Sequence, residues 1–340
     1  MVTRWSPLYA TMTVAAMVVC AACGSIDAQS PAGDPNQWLR SVAVVPLPNV
    51  SGRIDHLAFD ADRQHLFVAA LGNDTVEVID TAKNAYLRSL PGFHEPQGIV
   101  TVPDLPAVAV ANGDTGTLQL VDANTFQTRW TMKIGGDADN VRYDAARKQL
   151  YVAAQGGLFV VNPASGEVTR RIAIPGHPES FQLERDGLGV FANLPGASQI
   201  VVADRQDMSV RGRWATGPCQ ANYPMALDEM THRVFVGCRR PAMVTAFDTA
   251  SGKVVTSVPV VGDTDDMFYD TTRNRLYVIG GDGFVDVVER NGDTLRRAGR
   301  IATRDGARTG LWVAAQNRLY VAVPSRIGRP AEVRIFEAPQ

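Results

Sequence analysis

The chain carries no surplus of positive charge: 33 Lys plus Arg stand against 35 Asp plus Glu, a formal net charge of −2. Without a basic excess it cannot neutralise a run of phosphates, which sets nucleic acid aside as a partner. Beyond the N-terminus it also lacks long stretches with apolar residues at helical spacing, which argues against a helical architecture. There is no HExxH and no Gly-x-Ser-x-Gly elbow, so two common hydrolase signatures are missing. What the chain does have is 45% apolar residues, 20% charged residues, 30 Gly and 20 Pro over 340 positions. That is the composition of a folded protein made of many short strands and turns.

Residues 1–28 have the layout of an export signal: Arg4 gives the positive flank, and Leu8 to Ala22 is uncharged and mostly apolar. At about 15 residues that stretch is short of the ~20 a spanning helix needs. Two cleavage positions are consistent with it. Cys20-Ala21-Ala22-Cys23-Gly24-Ser25 resembles a bacterial lipobox, although Cys20 stands where Leu is usual, and the resemblance implies a lipid on Cys23. Cleavage after Ala28 would instead release a chain starting at Gln29. Residues 29–37 then read as a flexible tether. The expected location is the periplasm or, as a lipoprotein, the outer membrane, with the lipid the sole contact to a membrane. Two cysteines remain beyond the signal, Cys219 and Cys238, and they form no CxxC. They flank an antiparallel hairpin that turns at Glu229 to His232, so a disulfide between them is expected in an oxidising compartment.

A short alternating strand ending in an acid or amide recurs seven times, at Val76–Asp80, Leu118–Asp122, Leu158–Asn162, Ile200–Asp204, Val244–Asp248, Val285–Glu289 and Val333–Glu337. The spacing is about 42 residues. Each copy follows a more apolar strand, such as Leu66-Phe67-Val68 or Leu276-Tyr277-Val278. With a strand before and another after, each unit has four strands, the size of a propeller blade. The last copy ends without a fourth strand, while Trp38-Leu39-Arg40-Ser41-Val42 matches the fourth strand Tyr86-Leu87-Arg88-Ser89-Leu90. The reading is therefore an all-β, seven-bladed β-propeller over residues 38–340, its last blade closed by the N-terminal strand so that no sheet edge is left bare. The acids ending the third strands (Asp80, Asp122, Asp204, Asp248) suit turn capping. The run from Leu66 to Asp80 resembles the repeat of the YVTN-type, YncE-like bacterial propellers, a group that serves different ends on one scaffold.

In such a ring the first strand of each blade lines the channel. Aligning the blade entries places Asp55, Gln97, Asp139, Glu179, Tyr223, Asp265 and Arg308 at one equivalent position. His56, Asn140 and Asp266 follow three of them, and His94, Glu95, Asp137 and His177 lie just upstream. This predicts an electronegative mouth in which Asp55, Asp139, Glu179 and Asp265 crowd together with Arg308 alone opposing them. Crowded carboxylates call for a cation or proton, so Ca²⁺ or another divalent ion on those four is one reading, with the histidines suited to softer metals. The other is a wet channel whose polar residues merely solvate one another. Arg239 and Arg240, on a loop of the same face, could pair with an anionic ligand or partner, but an exposed solvated pair is the commoner outcome for such residues. The expected function is a monomeric, non-enzymatic propeller that binds a cell-envelope protein or small ligand over this face. The alternative is a lactonase-like hydrolase using a divalent ion.

Overall fold

The computed structural model describes residues 1–3 and 35–339. All but the first three residues of the export signal, with Cys23, both cleavage positions and most of the tether, fall outside them. Among the described residues no helix is long and apolar enough to cross a membrane.

The chain forms seven sheets of four antiparallel strands, six of them built from consecutive strands. The first is typical: Leu57–Asp60, His65–Ala70, Thr75–Asp80 and Ala85–Pro91 run from the channel outward. The seventh joins Thr309–Val313, Arg318–Val323 and Ala331–Glu337 to the N-terminal strand Arg40–Leu47. Val45 pairs with Val333 and Leu47 with Ala331, so the two ends of the chain lie in one sheet and close the ring. Closure of this kind gives the terminal strand's backbone groups partners they would otherwise lack.

Burial within each blade explains the sequence pattern. The second strands are covered on both faces by neighbouring blades, and Leu66 to Ala70 and Leu150 to Ala154 are fully buried. A strand buried on both sides reads as an apolar run rather than an alternation. Outermost strands such as Val168–Ala173 show only one buried residue and so lack the apolar run of the second strands. Each apolar cluster sits between two adjacent blades; Val45, Leu47 and Ile335 of the last blade pack on Leu57, Leu66 and Val68 of the first. Tight stacking also decides a glycine. A Cβ on Gly98 would overlap the Asp139 carbonyl oxygen of the next blade.

The third-strand acids cap their turns as their residue type suggests. Asp122 Oδ1 accepts the amides of Asn124 and Thr125, each at 2.8 Å, and Asp248 Oδ1 accepts that of Ser251 at 2.9 Å. A disulfide joins Cys219 and Cys238 across the hairpin, their Cα atoms 5.4 Å apart. Both cysteines are buried between the fourth and fifth blades.

Candidate functional site

The blade entries share a backbone device. The Asp55 amide donates to the Ala69 carbonyl at 2.7 Å, and the Ala69 amide donates back to the His56 carbonyl at 3.0 Å, so two residues oppose one. Asp139 and Asn140 oppose Ala153 in the same way, as Glu179 and Ser180 oppose Asn193. Pairing shifts at the corresponding place in the second, fifth and sixth blades. Such bulges turn consecutive side chains out of strict alternation. They explain why both Asp55 and His56, or both Asp139 and Asn140, reach the mouth.

The mouth is not the lightly opposed acidic funnel expected from the sequence. Asp55 Oδ2 lies 2.7 Å from Arg53 Nη2, and the same nitrogen is 3.6 Å from Asp265. Arg239 donates to Asp265 Oδ1 at 2.7 Å and to the Thr264 carbonyl at 3.0 Å, with its guanidinium 3.9 Å from the centre of the Tyr223 ring. Arg239 is thus no solvated surface group; Arg240, next to it, is exposed. Arg308 pairs at 3.0 Å with Asp263, a residue the blade alignment passed over, and its Nε is 4.0 Å from Asp265. The correction has a simple cause. Arg53 and Asp263 sit two residues before Asp55 and Asp265, and Arg239 reaches in from the neighbouring strand of the fifth blade, positions that a search of blade entries alone does not sample.

A second group centres on His56. Its Nδ1 lies 3.2 Å from Asp266 and its Nε2 3.5 Å from Asp55. Burial alone would depress the imidazole, yet Asp266 and Asp55 outweigh it and hold the pKa up at about 10. Asp266 also accepts the Gly310 amide at 3.0 Å, which ties the sixth blade to the seventh.

The third group is the one that resembles a metal centre. Ligand atoms of Asp139, His177 and Glu179 all lie within 4.8 Å of one another. Burial, with Glu179 and Asp55 close by, holds the Asp139 carboxyl well above the usual carboxylate range. Glu179 is lowered against the desolvating effect of burial by its hydrogen bonds from His177 and Asp139. Of the two carboxylates, Asp139 is the one whose charge this arrangement disfavours. His177 is fixed by Glu179 at 3.3 Å and by the Asp137 carbonyl at 3.0 Å; despite burial those partners raise it to about 9. Asn140 donates to Asp139 at 3.2 Å, and Gln97 to Asp137 at 3.0 Å.

The four carboxylates named from the sequence are therefore divided: Asp139 and Glu179 pair with each other, while Asp55 and Asp265 are engaged by arginines. His94 is exposed and stands apart, its backbone amide donating to Asn112 Oδ1 at 3.1 Å. Between Arg53, Asp55, Asp139, Glu179, Tyr223 and Asp265 only about 10 Å³ is left, room for one water or ion. Below this plug the channel widens to a cavity of about 440 Å³, with His56 and Asp266 at its upper end and Phe59 and Val313 lower down the inner strands.

Comparison with known proteins bears on the fold far more than on the activity. No known family model matches the chain. Over 129 residues it is 30% identical to the uncharacterized protein YwhL of Bacillus subtilis (strain 168), a match covering 38% of this chain and 28% of that protein's length. A chain of the Mitotic Checkpoint Complex crystal structure superposes with a TM-score of 0.76 at 12% identity, covering 96% of this chain and all of that one. A chain of the Kuenenia stuttgartiensis hydrazine synthase superposes at 0.73 and 17% identity, over 84% of this chain and 97% of that one. At such identities the likeness is one of architecture, and function has to be argued from the site. What the comparisons and the sheet topology establish together is a seven-bladed β-propeller.

Proposed function

We propose that this is an exported, non-enzymatic propeller of the YVTN (YncE-like) kind that binds a cell-envelope protein or small ligand over the plugged face of its channel. The observation that carries the reading is the state of the mouth: Arg53, Arg239 and Arg308 already engage Asp55, Asp263 and Asp265, with Arg53 and Arg239 partly exposed. Fixed, alternating charges of this sort present hydrogen-bonding groups to a partner and give specificity, whereas a hydrolase needs a free nucleophile or an open metal position. The buried Cys219–Cys238 disulfide supports an oxidising compartment.

One geometric feature favours the second reading, a divalent-metal-dependent hydrolase. Asp139, His177 and Glu179 offer two carboxylates and an imidazole, a donor set suited to zinc or manganese, and a bound cation would relieve the crowding of the two carboxylates. Titrating the full chain with Zn²⁺ and Mn²⁺ by calorimetry decides between them. The scaffold reading expects no stoichiometric binding, together with a charge-dependent partner that Arg239→Ala weakens. Binding at one ion per chain, lost in His177→Ala and accompanied by lactone hydrolysis, overturns it in favour of the hydrolase.

A further inference from the structure

Arg142 is the cation of the channel that the mouth network does not absorb. It lies on the innermost strand of the third blade, Val141–Asp144, two positions below the Asp139–Asn140 bulge, and lines the 440 Å³ cavity. Its Nη1 donates to the Val141 carbonyl at 3.0 Å and its guanidinium lies 5.5 Å from the centre of the Phe181 ring. Among the described residues it makes no ion pair; Asp266 and Asp139 act on it only through space, and burial draws its pKa below the ordinary value. Asp266, the carboxylate on the cavity wall, is already committed to His56 and to the Gly310 amide.

Arg142 is half-buried, and a guanidinium held inside a channel without a carboxylate partner is left with donors free for a ligand, since charge-assisted partners are what offset its partial desolvation. Arg presents a planar fork of donors matched to a carboxylate. Here the fork faces a cavity of the size usual for small-molecule sites, mostly apolar with a few polar groups. Phe268, Trp312 and Leu57 supply apolar wall, and the Ser180 hydroxyl adds a second donor near the upper end.

The geometry points to a binding site inside the channel for a small organic anion, a monocarboxylate with an apolar or aromatic body, held by Arg142 with its body against Phe268 and Trp312. This site lies below the plug and is independent of the reading given for the mouth, so either can fail alone.

Phenylacetate is the probe, with phenethylamine as its cationic counterpart of similar shape. Met225 and Met267 line the cavity, so their methyl signals in the ¹³C-methyl-methionine-labelled full chain report occupancy directly. The expected result is saturable shifts of both methyls with phenylacetate, none with phenethylamine at equal concentration, and affinity at least tenfold weaker in Arg142→Met. Arg142→Lys, which keeps the charge but loses the fork, is expected to fall between. Absence of shifts with phenylacetate, equal shifts with phenethylamine, or undiminished affinity in a folded Arg142→Met protein would overturn the site. The contrast between the two probes on the unsubstituted chain decides the matter even if that variant does not fold.

Discussion

The two ends of the innermost strands meet the same problem, charged groups brought together around a ring, and solve it differently. At the lower end the solution repeats. Asp60, Asp144, Asp228 and Asp270 end their strands and are each held by an arginine: Arg63 at 2.9 Å, Arg205 at 2.8 Å, Arg290 at 2.7 Å and Arg273 at 2.9 Å. At the mouth no two blades present the same residue pair; Asp55-His56, Asp139-Asn140, Glu179-Ser180 and Asp265-Asp266 stand on equivalent bulges. A group that recurs blade after blade is explained by the blade. One that changes from blade to blade is not, and it is there, and at Arg142, that function is to be sought.

Four measurements would break or sharpen this contrast. The largest effect belongs to the lower end: Arg205 and Asp144 are 2% and 5% exposed, and Arg205 also donates to the carbonyls of Glu184 and Gly187. Arg205→Ala leaves Asp144 with Arg147 alone, at 3.2 Å, and deprives the Glu184 and Gly187 carbonyls of their donor, so it should lower stability by about 3 kcal/mol in denaturant unfolding; a loss near zero would mean the repeated pairs are not structural. Reduction of the disulfide comes next. With the cysteines 19 positions apart in sequence, loop closure predicts a loss of about 3 kcal/mol, read as a lowered unfolding midpoint under reductant.

The third effect is a pH dependence. His56 has its pKa raised to about 10 in the folded state. A raised folded pKa gives stability that is fully present below the unfolded histidine value near 6.5 and is lost as pH rises through about 10. His177, raised to about 9, acts with the same sign. Unfolding curves between pH 6 and 10.5 should show the decline, and His56→Gln should remove its upper part; an unchanged profile in that variant would contradict the ion triad. The smallest effect is Asp139→Asn. Burial and the neighbouring Glu179 disfavour a charge on Asp139, so an amide of the same shape should change stability by less than about 1 kcal/mol. A large loss would show that Asp139 is ionised and compensated.

The architecture was legible because it is written many times. The apolar second strand and the acid-ended third strand repeat at a fixed interval, and a pattern that recurs around a ring averages out local irregularity. Even the closure by Arg40–Leu47 could be read, since Tyr86 to Leu90 supplied a template for Trp38 to Val42. The mouth was legible in position and not in charge state. Asp55, Asp139, Glu179 and Asp265 do converge, but Arg53 and Asp263 lie outside the repeat pattern, and Arg239 acts across a blade boundary. The parity of alternate residues would have flagged Arg53, two positions before Asp55. Nothing in the sequence flagged Arg142, whose standing comes from what fails to reach it.

The order of strands, the blade count, the capping acids and the cysteine pairing follow from local chemistry: alternation, turn preference and spacing act over a few residues and are repeated along the chain. Which carboxylate keeps a proton, which arginine finds a partner and how much space is left in the channel depend on distances between residues scores of positions apart. Coulomb energy and desolvation vary steeply with those distances. They take their values only once the ring has closed.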